Sequence, residues 1–350
     1  MRTPYGYFPL AFLGILFSFV VACQGFSGEK AVLHVYTWSD YFDPDVIADF
    51  EDANNCRVAI DYFDSNEAMY AKLKAGAGGY DVITPSSYMS AVMDKQGLIQ
   101  NFDHAKLPNM EYLDMTFAPL TGDPDFAYSI PYTRTVTGVG YNKARLGELP
   151  HTWNVFLDPN ILKRATMLND MRESIGAALK CLGYSINSTA DAELAEAGKL
   201  LIEWKKNLAK FEVDEAKIGL GSGEFFLIHV YNGDAALIMQ ENDEIDFFVP
   251  EEGSSMTTDD FVILAGSKQP DLAHAFVNYF LDPEAAALNM EGIRYYMPNP
   301  EAVDQLPDEL KNSPAFNIDA ELLRKCEVIR DLGADNAKYS RIWDTVKASD

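Results

Sequence analysis

Val32-Leu33-His34-Val35-Tyr36, Arg57-Val58-Ala59-Ile60-Asp61-Tyr62-Phe63 and Asp81-Val82-Ile83-Thr84 are three apolar-rich runs in one stretch of the chain. Two helical patterns separate them. Pro44 to Ala53 follows Asp43, a residue type that caps helices, and Ser65 can cap a second pattern that reaches about Ala75 before Gly76 to Gly79 ends it. Strand, helix, strand, helix, strand in that order predicts a parallel sheet with helices on both faces. Ligands of such sheets sit beyond the carboxyl ends of the strands. Trp38 and Tyr41 follow the first strand, Ser65 the second, and Ser86 and Tyr88 the third, so three loops are expected to converge on one edge.

Further along, the pattern changes near Ile130-Pro131-Tyr132, and Gly138-Val139-Gly140-Tyr141-Asn142 reads as an extended segment leaving a first lobe. A second α/β unit is expected after it. Its helices are read after Asp170, from about Thr189 to Lys210 and around Glu224 to Tyr231, and its strands at Ala235 to Met239 and Ile245 to Val249. Asp260 to Leu264 reads as a strand carrying the chain back, and Asp271 to Leu281 as an amphipathic helix. A chain of 350 residues is more than one core comfortably serves, so two lobes with a cleft between them are expected.

The amino terminus reads as a targeting segment. Arg2 precedes an apolar run from Phe8 to Ala22, too short to span a bilayer. Val20-Val21-Ala22-Cys23 resembles the bacterial lipobox, which implies a signal peptide over 1–22, lipid on the Cys23 thiol and a polar tether over 23–30. The alternative is a membrane anchor followed by an ordinary cysteine. Cys56, Cys181 and Cys326 are far apart and form no CxxC pair, so zinc is not expected, at most one disulfide is possible, and buried thiols are the plainer reading.

The net charge is −25, from 28 Lys+Arg against 53 Asp+Glu. Such a surface repels nucleic-acid phosphates and anionic headgroups and attracts small cations at long range. Acidity that serves solubility alone would look the same.

Tyr36-Thr37-Trp38-Ser39-Asp40-Tyr41, the run Ser65 to Lys74 and Tyr80-Asp81-Val82-Ile83-Thr84-Pro85-Ser86 resemble the first lobe of the polyamine-binding proteins of bacterial ABC importers. Ser129-Ile130-Pro131-Tyr132, the run Lys180 to Ser185 and Trp343-Asp344-Thr345-Val346-Lys347 are similar too, in the same order. The resemblance implies an α/β, type II periplasmic-binding-protein fold: residues 31–136 with about 260–312 form one lobe, 137–259 with about 313–350 the other, and they close on putrescine or spermidine. It implies no cofactor or metal, no enzymatic activity and no nucleic acid. It also implies a monomer held to the membrane by lipid, on the periplasmic face, with an ABC permease and ATPase as partners.

The chemistry fits these residue types, because alkyl ammonium ends call for carboxylates and a methylene chain for flat apolar walls. By resemblance Trp38 and Tyr41 are the aromatic wall, Ser86 and Tyr88 polar contacts, Tyr295 a pocket tyrosine, and Asp170, Glu173 and Asp259 ammonium partners. Asp260, one register off, is the nearest misassignment. Asp40 stands where the putrescine branch has aspartate, which points to putrescine first and spermidine second; a turn residue is the equal alternative. Asp170-Met171-Arg172-Glu173 also has capping-box spacing.

The chain departs from the family in three places. No tryptophan follows the expected strand Ala235 to Met239, Thr257 replaces an aromatic, and Ile329 or Arg330 replaces a glutamine. One aromatic wall is therefore expected to be lost, with Glu241 or Glu244 available for an amine end. Two rivals share the scaffold. An amino-acid binder would need Arg134 or Arg294 at the ligand carboxylate, and a ferric-ion binder would use Tyr295-Tyr296. A carboxylate-dependent hydrolase is a third reading, but the chain has no GxSxG, HExxH or P-loop.

Overall fold

Strand β1 (Ala31–Thr37) pairs in parallel with β2 (Cys56–Tyr62) along its whole length and with β3 (Val82–Ile83) on its other side. The computed structural model describes residues 30–349, so Cys23 and the segment before it lie outside the described residues. The helix Pro44–Asn54 connects β1 to β2. The Asp43 side chain accepts the amides of Asp45 and Val46 at 2.8 and 3.3 Å, and Asn55 in the left-handed region ends the helix. Ser65 caps the next helix, Asn66–Lys74, by accepting the Ala68 amide at 3.2 Å. These caps satisfy amides that have no partner within the helix, which is why the two boundaries were readable.

The remaining strands are β4 (Ile99–Gln100), β5 (Ile130–Asn142), β6 (Ala165–Met167), β7 (Leu208–Phe211), β8 (Leu227–Tyr231), β9 (Ile245–Phe248), β10 (Ser255–Leu264) and β11 (Glu327–Val328). They join in the order β2-β1-β3-β10-β5-β8-β6-β7, with β4 and β11 beside β10 and β9 beside β5. Two long antiparallel strands, β5 and β10, form the middle. On one side β10 pairs with β3 and β4; on the other β5 pairs with β8 and β9. Each half has its own core. Leu33, Phe50, Phe261 and Phe276 belong to one, and Trp153, Ile175, Leu201 and Trp204 to the other.

The ladder between β5 and β10 slips between Asp259 and Asp260. Asp259 faces Thr133 and Asp260 faces Pro131, whose nitrogen has no hydrogen to donate. The extra residue is Tyr132 on β5, while Asp259 and Asp260, consecutive on β10, point to opposite faces by the ordinary alternation of a strand. Both adjacent aspartates are buried, and each finds different hydroxyls.

One region folds in the reverse of the expected order. Glu224 to Tyr231 contains the strand β8, not a helix, and Ala235 to Met239 lies in the helix Asn232–Glu241, not a strand. Leu227 to Val230 is buried on both faces, so it has no alternating pattern and reads equally well as buried helix. The aromatic and β-branched residues decided for strand, and Ala235, Ala236, Leu237 and Met239 for helix. The helix expected to reach Lys210 ends at Lys205, and Leu208 onward forms β7 beside β6.

Candidate functional site

A small cavity lies where both halves meet, the kind of position at which small-molecule sites often occur. Loops after β1, β2 and β3 reach it from one half. The end of β8 and the start of the helix Met171–Cys181 reach it from the other, and Thr135 of β5 and Asp259 of β10 line it between them.

Asp259 is almost completely buried. One of its oxygens accepts Ser86 Oγ at 2.6 Å and the other accepts the Tyr41 hydroxyl. Ser86 occupies the cap position of the helix Ser87–Lys95 but makes no capping bond, because its hydroxyl is given to Asp259. Burial lifts the Asp259 pKa to about 6 although both hydroxyls favour its charged form.

Asp170 and Glu173 face the same cavity. Asp170 Oδ1 accepts the amides of Arg172 and Glu173 at 2.8 and 3.0 Å, so it caps its helix while lining the cavity. Glu173 does not complete a capping box. Its Oε2 accepts the hydroxyls of Ser255 and of Thr137, the latter at 3.1 Å. Burial first, and then Asp170, push the Glu173 pKa up to about 8. Burial also raises Asp170. Half-buried Glu67 is pushed to about 7 by burial and by Asp170, and accepts the Tyr88 hydroxyl at 3.2 Å. Asp170, Glu173 and Asp259 thus share one cavity in which burial disfavours their charge.

Arg172 is the cation that the cavity does contain, and the sequence reading missed it as a site residue. Its guanidinium donates to the Arg330 carbonyl at 2.9 Å and to Asn187 Oδ1 at 3.0 Å, and lies 4.9 Å from the centre of the Tyr339 ring. Those contacts hold it in the wall.

The flat walls are aromatic. Trp38 donates its indole N–H to the Thr84 carbonyl at 2.9 Å and packs on Phe63 with ring centres 4.5 Å apart. Tyr231 faces it from the other half, 6.5 Å away. Tyr231, at the end of β8, is an aromatic lining residue, so the expected loss of aromatic surface is partial. The signal was present as Tyr231-Asn232-Gly233 and was missed because that segment was read as helix. Thr257 and Ile329 line the cavity without replacing the aromatic and polar groups expected there. Glu241 lines an outer groove, and Glu244 accepts the Asn142 amide at 3.4 Å, so neither reaches the cavity.

Tyr295 lies against Tyr41 with ring centres 5.3 Å apart, and beside Asp234. Its ring covers the backbone at Gly233, where an added Cβ would meet ring carbons at 2.3 Å. Gly233→Ala is expected to displace Tyr295 and weaken ligand binding about tenfold, about 1.4 kcal/mol, in titration calorimetry; unchanged affinity would take Tyr295 out of the site.

Eight of the nine sequence-selected residues thus share one cavity: Trp38, Tyr41, Ser86, Tyr88, Asp170, Glu173, Asp259 and Tyr295. Asp40 is not among its lining residues. Asp40 has a positive φ of 53°, and its carboxylate turns to the Lys217 ammonium, 2.8 Å away. Asp260 also stays outside, accepting Ser87 Oγ at 2.7 Å.

Comparison with known proteins places these features in a family context. The family model for bacterial extracellular solute-binding proteins matches residues 45–318. A putrescine/cadaverine-binding protein of Pseudomonas aeruginosa is 32% identical over 345 residues, covering 93% of this chain and 96% of its own length. The spermidine/putrescine-binding periplasmic protein of Escherichia coli is 33% identical over 322 residues, covering 91% and 92%. The crystal structure of the TpPotD lipoprotein of Treponema pallidum superposes with a TM-score of 0.81 at 33% identity, covering 90% of this chain and 99% of the other.

Proposed function

This chain belongs to the bacterial extracellular solute-binding protein family, whose members bind solutes and are not enzymes, and from that premise we propose that it captures a short aliphatic polyamine, putrescine first and spermidine second. The observation that carries the reading is a cavity lined by the buried carboxyls Asp170, Glu173 and Asp259 together with the aromatic side chains Trp38 and Tyr231. An alkyl diamine satisfies both features: each ammonium pairs with acids, and its methylenes lie between Trp38 and Tyr231. Asp259 serves one end, and Asp170 with Glu173 the other. Ser86 and Tyr41 orient Asp259, while Tyr88 and Tyr295 close the walls.

The proposal includes the two lobes as bounded by the sequence, with β5 and β10 as the strands about which they close. It also includes lipidation of Cys23, a periplasmic location, action as a monomer, and delivery to an ABC permease and its ATPase. Relatives named as periplasmic binding proteins and as a lipoprotein support those parts.

The rivals fit less well. Arg134 stacks 4.5 Å over Tyr296, outside the cavity lining, so it is not placed to meet a ligand carboxylate, and Arg172 is engaged elsewhere. Tyr296 is likewise outside that lining, which separates the tyrosine pair a ferric ion would use.

The test is to strip the soluble chain of bound solute by unfolding and refolding, then titrate it with putrescine, spermidine, zwitterionic amino acids and ferric ion. Binding of putrescine at about micromolar Kd or tighter, about −8 kcal/mol, is expected. Binding of an amino acid or ferric ion with no amine bound would overturn the reading. Trp38→Ala is expected to weaken putrescine and spermidine together by about tenfold, since the lost face serves any methylene chain. Full binding by that variant would remove the aromatic wall from the site.

A further inference from the structure

Lys217, on the helix Asp214–Ser222, stands at the boundary between two spaces. The cavity and a larger groove outside it share Ser39, Tyr41, Asp214 and Asp234, whereas Lys217 lines the groove alone. Its ammonium is 2.8 Å from Asp40, 3.3 Å from Asp214 and 3.6 Å from buried Asp234. The first of these residues belongs to the loop after β1, and the others to the opposite half. Ser39 adds a second link across the same seam by donating to Asp214 Oδ1 at 2.6 Å. The Lys217 side chain is only 13% exposed. Burial opposes its charge, yet Asp234, Asp40 and Asp214 together hold its pKa above the usual lysine value.

We propose that Lys217 determines ligand length: its ammonium takes the place of one polyamine nitrogen at Asp234 and closes the cavity there, restricting the site to short diamines. This rests on the amine-binding reading above. A diamine needs two acidic ends, and Asp259 and the Asp170–Glu173 pair supply them. A triamine brings a third cation. The remaining buried acid, Asp234, already faces one, and a chain extended that way meets a like charge in a poorly solvated place. Beyond Lys217 the groove is acidic, with Asp40, Asp43 and Glu241 along it. Opening the boundary would therefore give a longer polyamine both room and partners. Asp40 accordingly acts on specificity through Lys217 rather than by touching the ligand.

The experiment is calorimetric titration of the soluble chain and of Lys217→Ala and Lys217→Met with putrescine and spermidine, with thermal unfolding to verify that each variant folds. The unsubstituted protein is expected to prefer putrescine at least about tenfold, and each variant to shift the ratio of the two Kd values toward spermidine by at least about tenfold, about 1.4 kcal/mol. If Lys217→Ala does not fold, Lys217→Met, which keeps the apolar stem, decides. An unchanged ratio overturns the inference. Equal weakening of both amines also does so, because it is the result of a simple latch between the halves. Spermidine preference in the unsubstituted protein overturns it as well, leaving polyamine binding intact. Absence of all amine binding removes the functional reading and this inference together.

Discussion

Asp259→Asn is expected to lower putrescine affinity about 100-fold or more, about 2.7 kcal/mol, in titration calorimetry at pH 8. The substitution keeps the size of the side chain and an oxygen able to accept from Ser86. It removes the charge, and it points an N–H₂ toward either the Tyr41 hydroxyl or the ligand ammonium. An ammonium taken from water into this cavity would then lie unpaired at one end, which is the costly half of a broken buried pair. The unliganded variant is expected to be no less stable than the parent, because burial disfavours the Asp259 charge that is removed. Affinity within about threefold of the parent would reject Asp259 as an ammonium partner. A variant that melts early would show instead that the Ser86–Asp259–Tyr41 bonds hold the fold.

The second large effect is a pH dependence that the ligand changes. Glu173 titrates at about 8 in the folded chain, and Glu67 and Asp260 at about 7, all above the ordinary range of a glutamate or aspartate. Their raised values mean that the folded protein binds more protons than the unfolded chain over this interval, so stability falls as pH rises through it. His229, buried and lowered to about 3, acts in the opposite sense, but only below its ordinary value of 6.5, where the unfolded chain takes up a proton that the folded one refuses. Between pH 6.5 and 8 the acids dominate, since the unfolded histidine has already lost about half its proton at 6.5. Unliganded protein is expected to melt higher at pH 6.5 than at pH 8, with Glu173 alone contributing up to about 2 kcal/mol. Bound putrescine favours the ionised carboxyls, so the rise in melting temperature at saturation is expected to be larger at pH 8. Calorimetry at pH 7 in buffers of different ionisation enthalpy should detect protons released on binding. Equal stabilisation at both pH values, with no proton release, would show that the carboxyls do not meet the ligand's charge.

Several parts of this protein could be read from short-range chemistry. Asp43, Ser65 and Asp170 announce helix starts because each satisfies amides two or three residues ahead. The strands β1, β2 and β3 are local runs separated by helices of ordinary length, and their parallel pairing follows from that order. The resemblance then placed eight residues that the structure gathers into one cavity.

Other features depended on contacts between distant residues. Local pattern could not separate strand from helix where β8 is buried on both faces, and with β8 went Tyr231, the wall opposite Trp38. Nor could spacing foresee that the fold brings Ser86 to Asp259 and Ser87 to Asp260, each pair 173 residues apart in the chain. Asp40 sits between Trp38 and Tyr41 in the chain, yet a left-handed backbone and an ammonium 177 residues away draw it off the cavity. The amino-acid sequence by itself determined the α/β order, the caps and the acidic, aromatic makeup of the site, because those follow from neighbours in the chain. The tertiary structure decided which acids share a desolvated space and which cation pairs with Asp40 and Asp234 beside it, because burial and charge pairing act between residues that only the folded chain brings together.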